Sequence, residues 1–289
     1  MTAQVSWLYG NRLHLNHGPI DVILQGWGDP RALTEGYAAA ADGFPAILPA
    51  LCAELPTLRS PDAAAHARLK GPVARSMSAA TAPFRPAFIT PMAAVAGAVA
   101  EEVLRLFLRP GITRAYANNG GDIALHLDPG ESLTCAITPH PGSPGHLPAR
   151  VTIRHDDPVR GIATSGWRGR SHSLGIADAV TVLARTAAMA DAAATMVANA
   201  VDLPGHPAIT RRPAWDLSPD SDLGQRAVTT AVGPLTTAEI RGALDAGESA
   251  ARSFRRKGLI EAAALFLHPE TRTLGPVVPN VPQPEPALA

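Results

Sequence analysis

Asp191 and Thr195 stand four residues apart in the alanine-rich run 187–199. On a helix this spacing sets a carboxylate and a hydroxyl on one face, one turn apart, with Asn199 a turn further on. Hard oxygens of this kind suit Mg2+, which keeps waters and a ligand phosphate in its shell. The alternative is a carboxylate that favours the helix dipole and a threonine bonded back to its own helix. Upstream, Ala163-Thr164-Ser165-Gly166 offers two hydroxyls and flexible amides, a common way to hold an anion. Arg160, Arg168 and Arg170 surround it, and a guanidinium fork matches a phosphate; the competing reading is a surface turn with solvated arginines. His172 is either a general base or a structural histidine. Asn118-Asn119-Gly120-Gly121-Asp122 is either a tight turn, built from the residues turns require, or a close backbone approach to a ring or sugar with Asp122 accepting a hydrogen bond.

These groups need a scaffold to position them. Arg12–Leu15 and Ile20–Leu24 are β-prone runs joined through Asn16-His17-Gly18. Residues 30–58 are helical in pattern with breaks expected at Pro45, Pro49 and Pro56, and 59–87, with four prolines, are expected to be irregular. A helix of about eighteen residues opens at Thr90-Pro91, with Thr at the N-cap and Pro at N1. Its interior is rich in small residues, which lets another backbone or a ligand approach closely. Ala115–Ala117 enters the Asn-Asn-Gly-Gly-Asp turn and Ile123–Leu127 leaves it. Further strands are expected at 134–138, 150–154, 179–183 and 259–267, with helices from Thr186 to about Asn199 and over 237–257. The region after Pro204 reads as proline-rich loops. Strands and helices mix without strict βαβ alternation, so the expected class is α/β (α+β). Residues 1–275 read as one domain and 276–289 as a proline-rich, disordered tail.

Composition narrows the function. Lys+Arg and Asp+Glu are both 25, so no net charge recruits nucleic acid, and 4% aromatic content leaves few platforms for bases. Cys52 and Cys135 have neither disulfide-framework nor thiolate-zinc spacing, and the histidines show no metal-ligand spacing. The N-terminus lacks a basic segment followed by an apolar run, and no long unbroken apolar stretch suggests a membrane span, so a cytoplasmic setting is expected. The chain has no G-x-G-x-x-G, G-x-x-x-x-G-K-[ST] or H-E-x-x-H, and the nearest approach to a nucleophile elbow, Gly169–Ser173, lacks its second glycine.

In combination the motifs are informative. ITPMAAVAGAVAEEVL (89–104), YANNGGDIALHL (116–127), GIATSG (161–166), SH (171–172) and ADAAAT (190–195) resemble, in order and spacing, the ApbE superfamily, closest to its bacterial and archaeal ApbE-like branch, a sister of the FAD:protein FMN transferases. The resemblance implies an ApbE-like fold with a pocket between its two halves. It implies Asp191 and Thr195 as Mg2+ ligands, and Asn119, Gly120, Gly121, Asp122, Thr164, Ser165 and Gly166 beside FAD or FMN. His172 would match the histidine that assists attack on the FAD pyrophosphate. Three features depart from the transferases. Ser173–Asp178 replaces their I-D-P-x-T-G loop, Ala96-Gly97 their Lys-Gly pair, and their secretion signal is missing. The resemblance therefore leaves open an enzyme acting at the pyrophosphate, a non-catalytic flavin- or anion-binding accessory protein for a redox or sulfur-handling enzyme, and a different enzyme acting on a small phosphate or carboxylate.

Overall fold

The computed structural model describes residues 2–137 and 149–275. In chain order the elements are β1 (Gln4–Leu8), β2 (Arg12–His17), β3 (Ile20–Gly28), α1 (Pro30–Gly43), α2 (Ile47–Leu58), α3 (Pro72–Thr81), α4 (Val95–Phe107), β4 (Ile112–Asn119), β5 (Asp122–Leu127), β6 (Ser132–Ile137), β7 (Ala149–Arg154), β8 (Gly161–Ser165), β9 (Ala179–Ala184), α5 (Ala187–Ala200), β10 (Ile209–Pro213), α6 (Ala214–Leu217), β11 (Ala227–Val232), α7 (Thr237–Arg256), β12 (Ala262–Leu267) and β13 (Glu270–Leu274). Nine strands form one antiparallel sheet in the order β1-β2-β3-β4-β5-β8-β9-β12-β13. The α/β (α+β) class expected from the sequence is the class observed.

Period-two burial explains the layers. Leu13, Leu15, Val22, Leu24, Ala115 and Ala117 alternate with half-buried neighbours along β2, β3 and β4, and their face meets the helices. On the opposite face Leu125, Ile162 and Leu183 form a second core with Val151 and Ile153 of the β6–β7 hairpin. That hairpin is an excursion between β5 and β8, which pair only through Ile123–Ile162 and Ala124–Gly161. α5 is the central helix. Ala187, Ala188, Ala190, Ala192, Ala193, Ala194, Val197 and Ala198 are all buried, so alanine here provides thinness as well as helix propensity. Gly97 of α4 makes the contact possible: a Cβ there would lie 2.3 Å from the Ala187 carbonyl oxygen.

Several elements differ from expectation. α3 lies inside the stretch expected to be irregular, because Pro72 occupies the start of a helix, where proline is tolerated. Pro49 and Pro56 sit within α2 instead of breaking it. Pro49 is in the first turn, where no amide partner is needed; Pro56 gives up the bond to the carbonyl of the exposed Cys52. Thr90 does not cap by its side chain. Its hydroxyl donates to Asp222, a 3-10 turn covers Pro91–Ala94, and the α-helix begins only at Val95. β1 and the β10–β11 pair appear where no strand was expected. By contrast, Thr186 caps α5, and Thr236 with Glu239 forms a full capping box on α7. His140, His146 and the tail from Pro276 lie outside the described residues.

Pro30–Leu58 is the one helical run among the described residues long and apolar enough, at mean hydropathy 1.3, to cross a membrane by length and composition. A 3-10 turn at Phe44–Ala46 interrupts it, and its Tyr37, Phe44 and Leu58 join the core beneath the sheet.

Candidate functional site

β4 and β5 are joined by Gly120 and Gly121, whose φ values of 66° and 114° are those of a turn only glycine adopts readily. The Asn118 carboxamide oxygen accepts from the Gly121 amide at 2.8 Å and closes the turn. Asn119 and Asp122 face each other across the ladder. The buried Asn119 side chain donates to the Ala96 carbonyl at 3.1 Å and accepts from the Asp21 amide at 3.3 Å, tying the hairpin to the start of α4. Asp122, also buried, accepts the Thr164 amide of β8 at 3.1 Å. Where the short β5–β8 ladder ends, this carboxylate continues it.

The two central helices cap each other. Ala94, at the head of α4, has no side-chain oxygen to offer. The Asp191 carboxylate of α5 accepts instead from the Gly97 amide at 3.1 Å and from the Ala96 amide. Reciprocally, Glu101 of α4 accepts the Ala188 amide of the first turn of α5 at 2.8 Å. Asp191 is thus a capping residue supplied by a second helix, an arrangement that local sequence cannot reveal.

This brings Asp122 and Asp191 close enough to interact electrostatically. Burial raises the Asp122 carboxyl to about 7 against the opposing pull of the Thr164 amide and the Arg170 charge. Burial also raises Asp191 well above the ordinary carboxylate range, and the Asp122 and Glu101 charges push it further, while the α4 amides pull it down. Near neutral pH such a pair favours a proton or a cation between its members. Two carboxylates with the half-buried Thr195 hydroxyl one turn on are an all-oxygen donor set fitting a hard divalent cation. Among the described residues no group of three or more His, Cys, Asp or Glu side chains gathers at one point. A cation here would therefore keep waters or ligand oxygens, as Mg2+ tolerates and a closed structural site does not.

The other residues singled out by sequence divide. Thr164 pairs its hydroxyl with Thr181 at 2.8 Å, and Ser165 follows on the half-open end of β8. Gly166 is buried where a Cβ would meet the Asp178 carbonyl at 2.5 Å. Arg160 is not an anion donor: its guanidinium is committed to the carbonyls of His155, Asp157 and Val159, each at 2.7 Å. Arg168 pairs with the buried Asp178 at 2.6 Å, whose other oxygen accepts the His268 amide at 2.7 Å. Arg170 alone reaches back over Gly120. His172 is exposed and has no hydrogen-bond partner among the described residues. Asn199 is not beside Asp191's chemistry; its oxygen accepts the Leu174 amide at 3.0 Å and pins the segment after His172. Eight residues of helix separate Asp191 from Asn199, about 12 Å of rise. Leu174, two residues after His172, is therefore pinned at the end of α5 away from Asp191. Asp122, Gly97, Glu101 and Arg170 form a set that only the tertiary structure assembles.

Comparison with known proteins gives this arrangement a family. The family model described as "AbpE bacteria" matches residues 5–273. The chain belongs to this ApbE-like family. Its relatives include a UPF0280 protein of Methanothrix thermoacetophila, 37% identical over 131 residues (45% of this chain, 52% of the relative). Others are UPF0280 proteins of Methanococcus vannielii, 40% identical over 113 residues (38% and 45%), and of Methanocaldococcus jannaschii, 39% identical over 115 residues (39% and 45%). The matched part of the chain thus spans about half the length of these relatives. Among solved structures, the Pseudomonas stutzeri flavinyl transferase ApbE in its apo form covers 95% of each chain at 13% identity and a TM-score of 0.35.

Proposed function

We propose that this ApbE-like protein binds a flavin nucleotide, FAD or FMN, by its phosphate-bearing part together with Mg2+, between the Gly120–Asp122 turn and Asp191. The observation that supports this reading most is the Asp122–Asp191 pair, the first buried and the second half-buried. Burial raises both carboxyls and the Asp122 charge raises Asp191 further, so the pair favours a cationic guest. The flavin component rests on the motif resemblance. In this reading Asp191 and Thr195 would hold the cation and the Gly120-Gly121 backbone would lie against the ligand. Thr164, Ser165 and Gly166 would line the same wall. A bound Mg2+ would neutralise charge on a phosphoryl oxygen.

A catalytic extension is cleavage at the FAD pyrophosphate. An acceptor hydroxyl would bond to the FMN phosphorus, the bond to the AMP oxygen would break, and His172 would take the hydroxyl proton. A second reading, a flavin-binding accessory protein for a redox enzyme, is favoured by one feature. His172 is exposed, with nothing among the described residues to orient it, whereas a working general base is held in place by a partner.

The two readings separate in one assay. The protein is titrated with FAD in the presence of Mg2+, then incubated with candidate acceptors while AMP is measured. Binding with AMP release that His172→Ala reduces more than it reduces affinity supports the enzyme. Binding without AMP supports the accessory protein. Absence of FAD and FMN binding at micromolar concentration contradicts both.

A further inference from the structure

We propose that Arg170 is the donor that recognises the anionic group of the ligand, a guanidinium fork for phosphate or pyrophosphate oxygens that rests over the Gly120 backbone when no ligand is bound. The inference builds on the reading above that a phosphate-bearing ligand enters beside the turn. Of the three arginines around 163–170, Arg160 is tied to three carbonyls and Arg168 to Asp178. Arg170 makes no hydrogen bond or ion pair with any described residue and is exposed. All its N–H donors are available to a guest.

One terminal nitrogen of Arg170 lies 1.8 Å from where a Cβ of residue 120 would sit, so its position over the turn exists only because that residue is glycine. There it is the one cation among the described residues that acts on the buried Asp122. The backbone on either side is fixed. Trp167 donates to the Ala177 carbonyl at 3.0 Å and Gly169 to the Gly166 carbonyl at 3.1 Å. Beyond His172, Ser173 accepts the Thr229 amide at 2.9 Å, and Arg211 donates to the Leu174 carbonyl. Residues 170–172 are the exposed span between these anchors, and Arg170 is its only arginine. A planar fork on a loop anchored on both sides, resting over the Gly120 turn, suits bidentate recognition of phosphate.

The test compares wild type, Arg170→Ala, Arg170→Lys and, as a charge-loss control on α7, Arg255→Ala. Binding of FAD, riboflavin and inorganic pyrophosphate is measured, with thermal unfolding to show that each variant is folded. Arg170→Ala is expected to weaken FAD and pyrophosphate roughly ten- to hundredfold, as for loss of a charged hydrogen-bonded contact. Riboflavin binding should not change, Arg170→Lys should recover only part of the loss, and Arg255→Ala should match wild type. If FAD and pyrophosphate bind Arg170→Ala as tightly as wild type, the role of Arg170 is overturned while the flavin reading stands. If wild type binds pyrophosphate in an Arg170-dependent way but no flavin, the flavin reading fails and the role of Arg170 stands. If wild type binds none of the three, both are overturned.

Discussion

Asp122 is the residue at which structure and chemistry meet most directly. Its carboxyl is raised to about 7 because burial penalises the charged form more than the Thr164 amide and Arg170 favour it. An acid raised on folding contributes stability below the ordinary carboxylate range and loses that contribution as pH rises, fully once the pH has passed about 7. The metal-free protein should therefore unfold at progressively lower temperature between about pH 4 and about pH 7. Asp122→Asn, which keeps an oxygen for the Thr164 amide, should flatten that profile and be at least as stable as wild type at the alkaline end. Mg2+ should raise the melting temperature of wild type most at alkaline pH and that of Asp122→Asn least. Thermal unfolding across pH, with and without Mg2+, checks all three; a profile identical in wild type and variant would remove Asp122 from the balance. Thr195→Val, which keeps shape and loses a hydroxyl that has no partner among the described residues, should cost little stability but weaken any Mg2+-dependent binding.

At the scale of elements, the site depends on how closely α4 and α5 approach and on the caps they exchange. Gly97→Ala would force a methyl against the Ala187 carbonyl and should destabilise the protein by about 1–3 kcal/mol or more, read from urea unfolding. Glu101→Ala removes the acceptor of the Ala188 amide and should cost about 1 kcal/mol, as caps do. Much of the scaffold was legible in sequence because its signals are local. Asn118–Asp122 contains the residues a two-residue hairpin turn demands, and Thr186 and Thr236 each precede a helical run. What was not legible is non-local. Thr90 resembles a cap but serves Asp222, and Asp191 resembles a helix-face residue but caps a different helix. α3 hid among prolines because Pro72 marks a start as readily as a break. For the candidate site, the turn, the 164–166 strand end and Asp191 could be singled out from residue types. The neighbourhood of Asp122 and Asp191, and the separate commitments of Arg160, Arg168 and Asn199, follow from tertiary contacts alone.

At the scale of the molecule, an antiparallel sheet runs from the first strand to the last and carries helices on one face and the β6–β7 hairpin on part of the other. Ile153 of that hairpin is fully buried against the sheet, and Ile153→Ala should lower stability by about 2–5 kcal/mol in chemical unfolding. The candidate site lies on the helix side, at the end where β4, β5 and β8 meet α4 and α5. The family match extends over residues 5–273 and so includes all of β4, β5, β8, α4 and α5.

The most direct test of the account is FAD affinity measured with Mg2+ and with chelator, in wild type and in Asp191→Asn. That substitution keeps an oxygen for the Gly97 amide, so the cap on α4 survives while the charge is lost. The account predicts Mg2+-dependent binding in wild type, and in the variant a loss of roughly tenfold or more together with loss of the Mg2+ dependence. FAD binding of equal strength with chelator, with Mg2+ and in Asp191→Asn would contradict it.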